Sequence, residues 1–363
     1  MKETTAIGLM SGSSLDGLDI ALVRFNHSDN EYHFEIIAAD TVAYPNTWKQ
    51  ALSEAFNKQP TELTELDKSY GKYLGEQVLA FVRKHNAHAD FVASHGHTIF
   101  HRPHEGYTLQ IGHGQELANA CGLTVVNDFR TEDVGKGGQG APLVPIGDML
   151  LFGHCEICLN IGGIANVSYN ADGQRIAYDL CIANQALNHL AQQSGLDYDR
   201  DGLLARSGTV DAQLLAQLNQ HPFYRQQPPK SLGREFFETY QKDILKNVPI
   251  ANSMATFVEH IAMQIAAGVN HLPKGKMLVT GGGAHNKFLV ERLKIHTTHD
   301  VVIPEKTIID YKEALVFAFL GLRRLEGKIN VLSSVTGAES DSCSGMVWRP
   351  TQQINAIAPR QQP

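Results

Sequence analysis

Gly8-Leu9-Met10-Ser11-Gly12-Ser13-Ser14-Leu15-Asp16-Gly17-Leu18-Asp19 is the stretch that decides the fold of this chain. An apolar strand, Ala6–Met10, runs into a loop of glycine and hydroxyl residues, then an Asp16-Gly17 turn and a second apolar strand, Leu18 to Phe25. Asp-Gly between apolar runs is a strong hairpin signal. Such a loop can wrap an anion, because glycine lets the backbone approach closely and the N–H groups point inward. Ser11, Ser13 and Ser14 add hydroxyl donors. Asp16 and Asp19 would repel a bare phosphate, and they make sense if a Mg²⁺ ion, held through water, sits between them and it. Taken alone, the stretch fits an ordinary surface hairpin equally well.

Two further glycine turns tip that balance. Cys158-Leu-Asn-Ile-Gly162-Gly163-Ile-Ala-Asn-Val-Ser168 reads as strand, turn, strand. Met277-Leu-Val-Thr-Gly281-Gly282-Gly283-Ala-His-Asn286 is a strand ending in three glycines, ahead of a helical pattern from Lys287 to Ile295. A phosphate-type hairpin in each half, then a strand–glycine–helix turn, is the ordered pattern of the actin, sugar-kinase and heat-shock-ATPase fold. The expectation is α/β: two ribonuclease H-like domains with an interdomain cleft, a hairpin holding phosphates from each side, and the late turn against adenosine. No Gly-x-x-x-x-Gly-Lys-Ser/Thr occurs, which argues against a P-loop enzyme. Gly135-Lys-Gly-Gly-Gln-Gly140 follows a polar Thr131-Glu-Asp stretch and runs into Ala141-Pro142, so it reads as a flexible or substrate-facing loop rather than a dinucleotide site.

At 363 residues the chain exceeds one ordinary domain of roughly 100–200 residues. Hydrophobic residues at 43% allow ordinary cores, and a net charge of −7 without a basic patch argues against a nucleic-acid partner. The five cysteines lack framework spacing, which points to a reducing compartment. Cys155-Glu-Ile-Cys158 reads as buried thiols ahead of a redox or zinc pair. The passage from Met-Lys-Glu-Thr straight into a strand leaves no room for a signal peptide. Apolar runs such as Ala314 to Leu322 fall far short of about 20 residues, so no membrane span is expected. A cytoplasmic protein follows, with a homodimer left open.

Strands are expected at Ala6–Met10, Gly17–Phe25, Glu35–Val42, Phe91–Ser94, Thr124–Asn127, Ile157–Ile161, Asn166–Tyr169, Ile176–Asp179 and Met277–Thr280. Helices are expected around Trp48–Phe56, Leu63–Lys84, Asn184–Gln193, Asp211–Leu218, Ala255–Asn270 and Lys312–Arg324. Three strands then helices, repeated after residue 155, predict two similar halves, although no close sequence repeat is visible. Glycine and proline place the join near Asp128–Pro145. The first domain is then 1–130 with about 345–363, and the second 131–344. The tail, with Gln352, Gln353 and 359–363, reads as partly flexible.

Asp179 ends a strand beside a hairpin, where α/β proteins do chemistry. It can serve as the base of a kinase or simply cap the helix that begins near Asn184. Arg130 can clamp a carboxylate or phosphate, or pair with Asp128 across the join. His95 and His97, at alternate positions, can line a sugar or bind a metal, and the first is favoured because no acidic or cysteine partner follows at ligand spacing. Glu313 can meet a Mg²⁺–nucleotide or favour its helix dipole.

The chain resembles the anhydro-N-acetylmuramic acid kinases. Segments similar to that family's motifs are Gly8–Asp19, Ser94–Pro103, Leu109–Gly114, Asp128–Arg130 with Gly137–Pro142, Asn160–Asn166, Pro228–Glu235, Thr280–Asn286 and Glu313-Ala-Leu. The resemblance implies a kinase that uses ATP and Mg²⁺ on 1,6-anhydro-N-acetylmuramic acid, opening the anhydro bridge with water and phosphorylating the oxygen at carbon 6. It implies Asp179 as the catalytic aspartate and Gly12 to Asp19 as an ATP-binding stretch, with Gly162, Gly163, Gly281, Gly282, Gly283, Asn286 and Glu313 also at the nucleotide. His95, His97, Asp128, Arg130 and Asn184 are expected at the sugar. Alternatives are a kinase of another anhydro or free amino sugar, and a nucleotide-switched sugar-binding protein. The chain departs from the family pattern in three places. Thr-Gly-Pro-Gly-Asn after the aspartate is Leu180-Cys181-Ile182-Ala183-Asn184 here, expected as a loop touching the sugar; a common Gln is His97; an acidic position is His113.

Overall fold

The computed structural model describes residues 2–12, 15–28, 31–245 and 248–351. Ser13 and Ser14 of the first loop, and the tail from Gln352, lie outside the described residues. The described strands are β1 (Lys2–Ser11), β2 (Gly17–His27), β3 (Tyr32–Ala43), β4 (Phe91–Ser94), β5 (His97–Arg102), β6 (Tyr107–Ile111), β7 (Thr124–Asn127), β8 (Ile157–Ile161), β9 (Ile164–Ala171), β10 (Gln174–Ile182), β11 (Lys276–Thr280), β12 (Asp300–Val302) and β13 (Met346–Trp348). They form two compact units, one of Met1–Leu151 with the chain from Tyr311 on, the other of Phe152–Asp310.

The first unit carries a sheet of order β13-β7-β4-β1-β2-β3, in which β1, β2 and β3 are antiparallel neighbours while β4 and β7 add in parallel. Central β1 is apolar on both faces, as a strand covered on both sides must be. Ile7 and Leu9 share a core with Tyr70, Leu74 and Val78 of the helix Pro60–His85. That helix starts on a capping box between Gln59 and Glu62, with a proline in its first turn, and stops at Asn86 in the left-handed conformation. A Cβ on Gly8 would lie 1.8 Å from the Ala314 carbonyl oxygen, so glycine there lets the helix Lys306–Leu325 rest on the sheet.

The second unit repeats the order: β10-β9-β8 antiparallel, then β11 and β12 in parallel. Ile157, Leu159, Ile161, Val167 and Val279 of this sheet share a core with Phe257, Ile261 and Ile265 of the almost wholly buried helix Ile250–Val269. The duplicated topology, three antiparallel strands followed by parallel ones, is that of the actin-like sugar-kinase fold.

The unit boundaries differ from the composition-based join. Residues 131–151 and 311–344 belong with the first sheet. The Thr336 hydroxyl donates to the buried Asp133 carboxylate, and Ala314 and Ala318 lie against Gly8. Glycine and proline between 135 and 145 mark a loop within the first unit, not its edge. The β5–β6 hairpin and the short helices Gly114–Cys121 and Pro145–Leu151 are additions to the expected elements. Among the described residues, no helix is long and apolar enough to cross a membrane.

Candidate active site

In the second unit, Thr280, Asn160, Asn166 and Asp179 lie side by side across four strands as paired residues. Cross-strand pairs project to one face, so this polar rung ends the carboxyl side of the parallel pair β8–β11, where open α/β sheets bind ligands. The Asp179 backbone N–H donates to the Lys230 carbonyl at 3.1 Å, and its Oδ2 accepts the Leu232 N–H at 2.8 Å. Burial raises the Asp179 pKa, and the Leu232 N–H offsets part of the rise. A partly buried carboxylate with one backbone donor is a competent base.

Gly162 and Gly163 join β8 to β9. Their carbonyls are committed inward: Gly162 accepts from Asn184 N at 3.0 Å, and Gly163 from Ala183 N at 2.8 Å and Gln185 N at 3.2 Å. The Asn184 side chain donates to the Ile161 carbonyl at 3.1 Å. Among the described residues, no acceptor is recorded for the N–H groups of either glycine. A Cβ on Gly162 would meet nothing closer than 3.6 Å, and one on Gly163 nothing closer than 3.9 Å. Neither glycine has a positive φ. The fold itself therefore does not demand glycine here, and the turn leaves room and N–H donors for an anion. Gly281 and Gly283 differ. Gly281 has φ +78, and added Cβ atoms would strike Asn160 Oδ1 at 2.5 Å and Ile161 Cγ2 at 2.3 Å, so both serve packing, while Gly282 is open apart from Asn184 Nδ2 at 3.4 Å. Asn286 caps the helix Lys287–His296 by accepting from Leu289 N at 3.0 Å.

In the first unit the expected hairpin is present, with Met10 opposite Asp19 and Ser11 opposite Leu18. The turn is not Asp16-Gly17, however. Gly17 already lies in β2, where a Cβ would strike the Val42 carbonyl oxygen at 2.6 Å, and Leu15 carries the positive φ of 59. Leu15 N donates to the Gly12 carbonyl at 3.3 Å. Asp16 is exposed, Leu18 is buried, and Asp19 accepts from the Thr41 hydroxyl at 2.6 Å. Glu313 keeps contact with solvent but is crowded enough that desolvation raises its pKa; Lys312 opposes the rise, Asp19 adds to it and Arg130 opposes it. Two carboxylates that disfavour each other's charge suit a divalent cation. Mg²⁺ needs only one or two protein carboxylates beside phosphate and water, and no larger cluster of metal-ligating side chains occurs among the described residues.

His95 and His97 face different partners. His95 Nε2 accepts from Arg130 Nε at 3.2 Å and lies 2.9 Å from its Nη2, while Nδ1 lies 3.0 Å from the Gly96 carbonyl. Burial, then the Arg130 charge, hold His95 neutral, well below its usual pKa. Arg130 also donates to the Gly140 carbonyl at 2.6 Å. The expected Asp128–Arg130 pair does not form, because Asp128, at φ 57, accepts instead from the Thr131 N–H and hydroxyl. His97 lies against Ser11. His113 caps the helix Gly114–Cys121.

Leu180, Cys181 and Ile182 continue β10, and with Ala183 they are buried in the core. They are not a loop touching substrate; Leu180 fills the notch left by Gly268. Cys155 and Cys158 are buried and not joined in a disulfide. Sequence reasoning assigned no role to Asn160, Asn166 or the 230–232 backbone, although all three lie in motifs already singled out.

The profile of the family described as anhydro-N-acetylmuramic acid kinase matches residues 4–350. The chain belongs to the anhydro-N-acetylmuramic acid kinase family. Proteins named anhydro-N-acetylmuramic acid kinase from Vibrio cholerae and Aliivibrio fischeri are similar to it. The first is 35% identical over 370 residues, covering 95% of this chain and 98% of that protein. The second is 36% identical over 368 residues, covering 94% and 98%. A relative of the same name from Pasteurella multocida is 34% identical over 385 residues, covering 98% of this chain and all of that one, 100%. Membership of this kinase family makes the chain an enzyme.

Proposed function

We propose that the enzyme uses ATP and Mg²⁺ to open 1,6-anhydro-N-acetylmuramic acid with water and phosphorylate the released oxygen, giving N-acetylmuramic acid 6-phosphate in peptidoglycan recycling. The observation that carries this reading is the partly buried Asp179 on a polar rung beside a glycine turn whose N–H groups are uncommitted. Asp179 accepts a proton from the water that attacks the anomeric carbon. The bond from that carbon to the bridging oxygen breaks, and this oxygen attacks the γ-phosphorus as ADP leaves. Phosphoryl transfer is mostly positioning and charge neutralisation, and the N–H groups of the Gly162-Gly163 turn supply donors for it. Asp19 and Glu313, with Asp16 in the loop, would hold Mg²⁺, which when bound neutralises phosphate charge. Arg130, oriented by His95 and Gly140, is the preset cation for an anionic group of the substrate, and Asn184 ties the turn to the helix behind it.

ADP release measured against a panel of anhydro and free amino sugars tests the substrate. Reaction in ¹⁸O-water, sampled early, is expected to place label on the anomeric carbon. Phosphorylation of a free hexosamine without label, and no consumption of the anhydro sugar, would overturn the proposal.

A further inference from the structure

We propose that His97 is a neutral hydrogen-bond donor to a substrate oxygen, fixed in its Nε2–H form by a buried hydroxyl relay running from Tyr70 through Tyr44 and Ser11. The inference rests on the kinase reading and gives a residue already expected at the site its tautomer, its role and the chemistry of its ligand: an acceptor oxygen, from either the nucleotide phosphates or the carboxylate and carbonyl groups of the sugar.

The direction of the relay follows from counting protons. The Tyr44 hydroxyl donates to Ser11 Oγ at 2.8 Å and lies 2.6 Å from the Tyr70 hydroxyl. Tyr44 has one proton, so Tyr70 supplies the proton of the shorter bond. Ser11 Oγ lies 2.8 Å from His97 Nδ1. Ser11 is 3% exposed and His97 5% exposed. Having accepted from Tyr44, Ser11 hands its own proton to Nδ1; a protonated Nδ1 would leave the serine proton without an acceptor among the described residues, a costly state in a buried site. A ring whose Nδ1 accepts carries its proton on Nε2. Among the described residues, Nε2 has no hydrogen-bond partner, and it is not sealed from solvent, so an incoming acceptor can reach it.

The placement favours a ligand at this atom. Ser11 is the last residue before Gly12 and pairs with Leu18 at the mouth of the hairpin. His95, two residues away, is held in the opposite tautomer, because its Nε2 accepts from Arg130 and its Nδ1–H is directed at the Gly96 carbonyl. The titratable groups facing His97 are Tyr44, Tyr70 with its neighbour Tyr73, and His95; burial raises the three tyrosines and keeps His95 neutral, and of these four groups Asp19 acts on Tyr44 alone. Burial lowers His97 itself to about 4. The donor therefore keeps its proton and its neutrality throughout the working range of pH, as the side-chain amide of a glutamine would.

Nitrogen NMR of ¹⁵N-histidine-labelled protein, with His97→Gln to assign the signal, reads the tautomer directly. The expected result is a neutral Nε2–H ring from pH 5.5 to 8, shifted on adding either a non-hydrolysable ATP analogue or the sugar; the additive that shifts it identifies the source of the acceptor. His97→Ala is expected to raise the KM of that same substrate about tenfold, with a smaller change in kcat, and His97→Gln to stay within about threefold of the parent. An Nδ1–H ring, a titration near 6.5, or unchanged KM for both substrates in His97→Ala would overturn the inference. Because the NMR result needs no turnover, an inactive parent enzyme refutes the kinase reading separately.

Discussion

Replacing Gly162 with alanine separates a glycine kept for a ligand from one kept for the fold. The added methyl would sit 3.6 Å from Asn160 Nδ2 and the Ile164 carbonyl oxygen, an ordinary contact, on a backbone without a positive φ. Gly→Ala at such a site stabilises by about 0.4–1 kcal/mol, because the unfolded chain loses freedom. Gly283→Ala is the matched control. Its methyl would lie 2.3 Å from Ile161 Cγ2 and 3.1 Å from the Ile161 carbonyl oxygen, and overpacking of that kind costs about 1–3 kcal/mol. The two variants should thus differ by about 1.4–4 kcal/mol in urea unfolding. Nucleotide affinity should run the other way. A methyl on the Gly162 turn holds a phosphate away from the N–H donors, and losing one charge-assisted hydrogen bond, worth ~1.5–3 kcal/mol, weakens binding about tenfold to a hundredfold. Calorimetric titration with an ATP analogue measures this. A Gly162→Ala protein destabilised as much as Gly283→Ala, or one binding nucleotide with unchanged affinity, would refute the reasoning.

Asp179→Asn should retain nucleotide binding and lose about 10²–10⁴ in turnover, the usual cost of removing a general base; near-parental turnover of the purified variant would exclude Asp179 as the base. Burial raises this carboxyl's pKa, so its ionised form weighs against folding once the pH is above that value. The amide removes that penalty, and melting at pH 7 should show a Tm no lower than the parent's. For the same reason kcat/KM should fall on the acid side with an apparent pKa above the ordinary aspartate value of about 3.9; a pH–rate profile flat through pH 5 and 4 would contradict it. Glu313→Gln should raise the Mg²⁺ concentration for half-maximal rate by about two- to fivefold, the worth of ~0.4–1 kcal/mol for a solvent-screened contact, with the KM for sugar unchanged.

Much of the fold was legible because its signals are local. Continuous apolar runs mark β1 and β2, and the Gly162-Gly163 pair between two apolar runs marks the second hairpin. That clarity is lost wherever a residue type has two uses. Gly17 looks like a turn residue and is one that lets two strands approach; Leu180 to Ala183 look like a loop and fill a core.

By itself the sequence determined the α/β class, the repeated order of strands and helices and the glycine turns that follow β8 and β11, since each depends on spacing within a few residues. Tertiary structure alone decided which partner each polar group takes. Asp179 is held by Leu232, 53 positions away; Arg130 by His95, 35 away; Ser11 by His97, 86 away. It also decided that the segments after residues 130 and 310 join the first sheet. Periodicity carries no record of such pairings, because a hydrogen bond across tens of residues exists only after the sheets and helices have packed and withdrawn both groups from water.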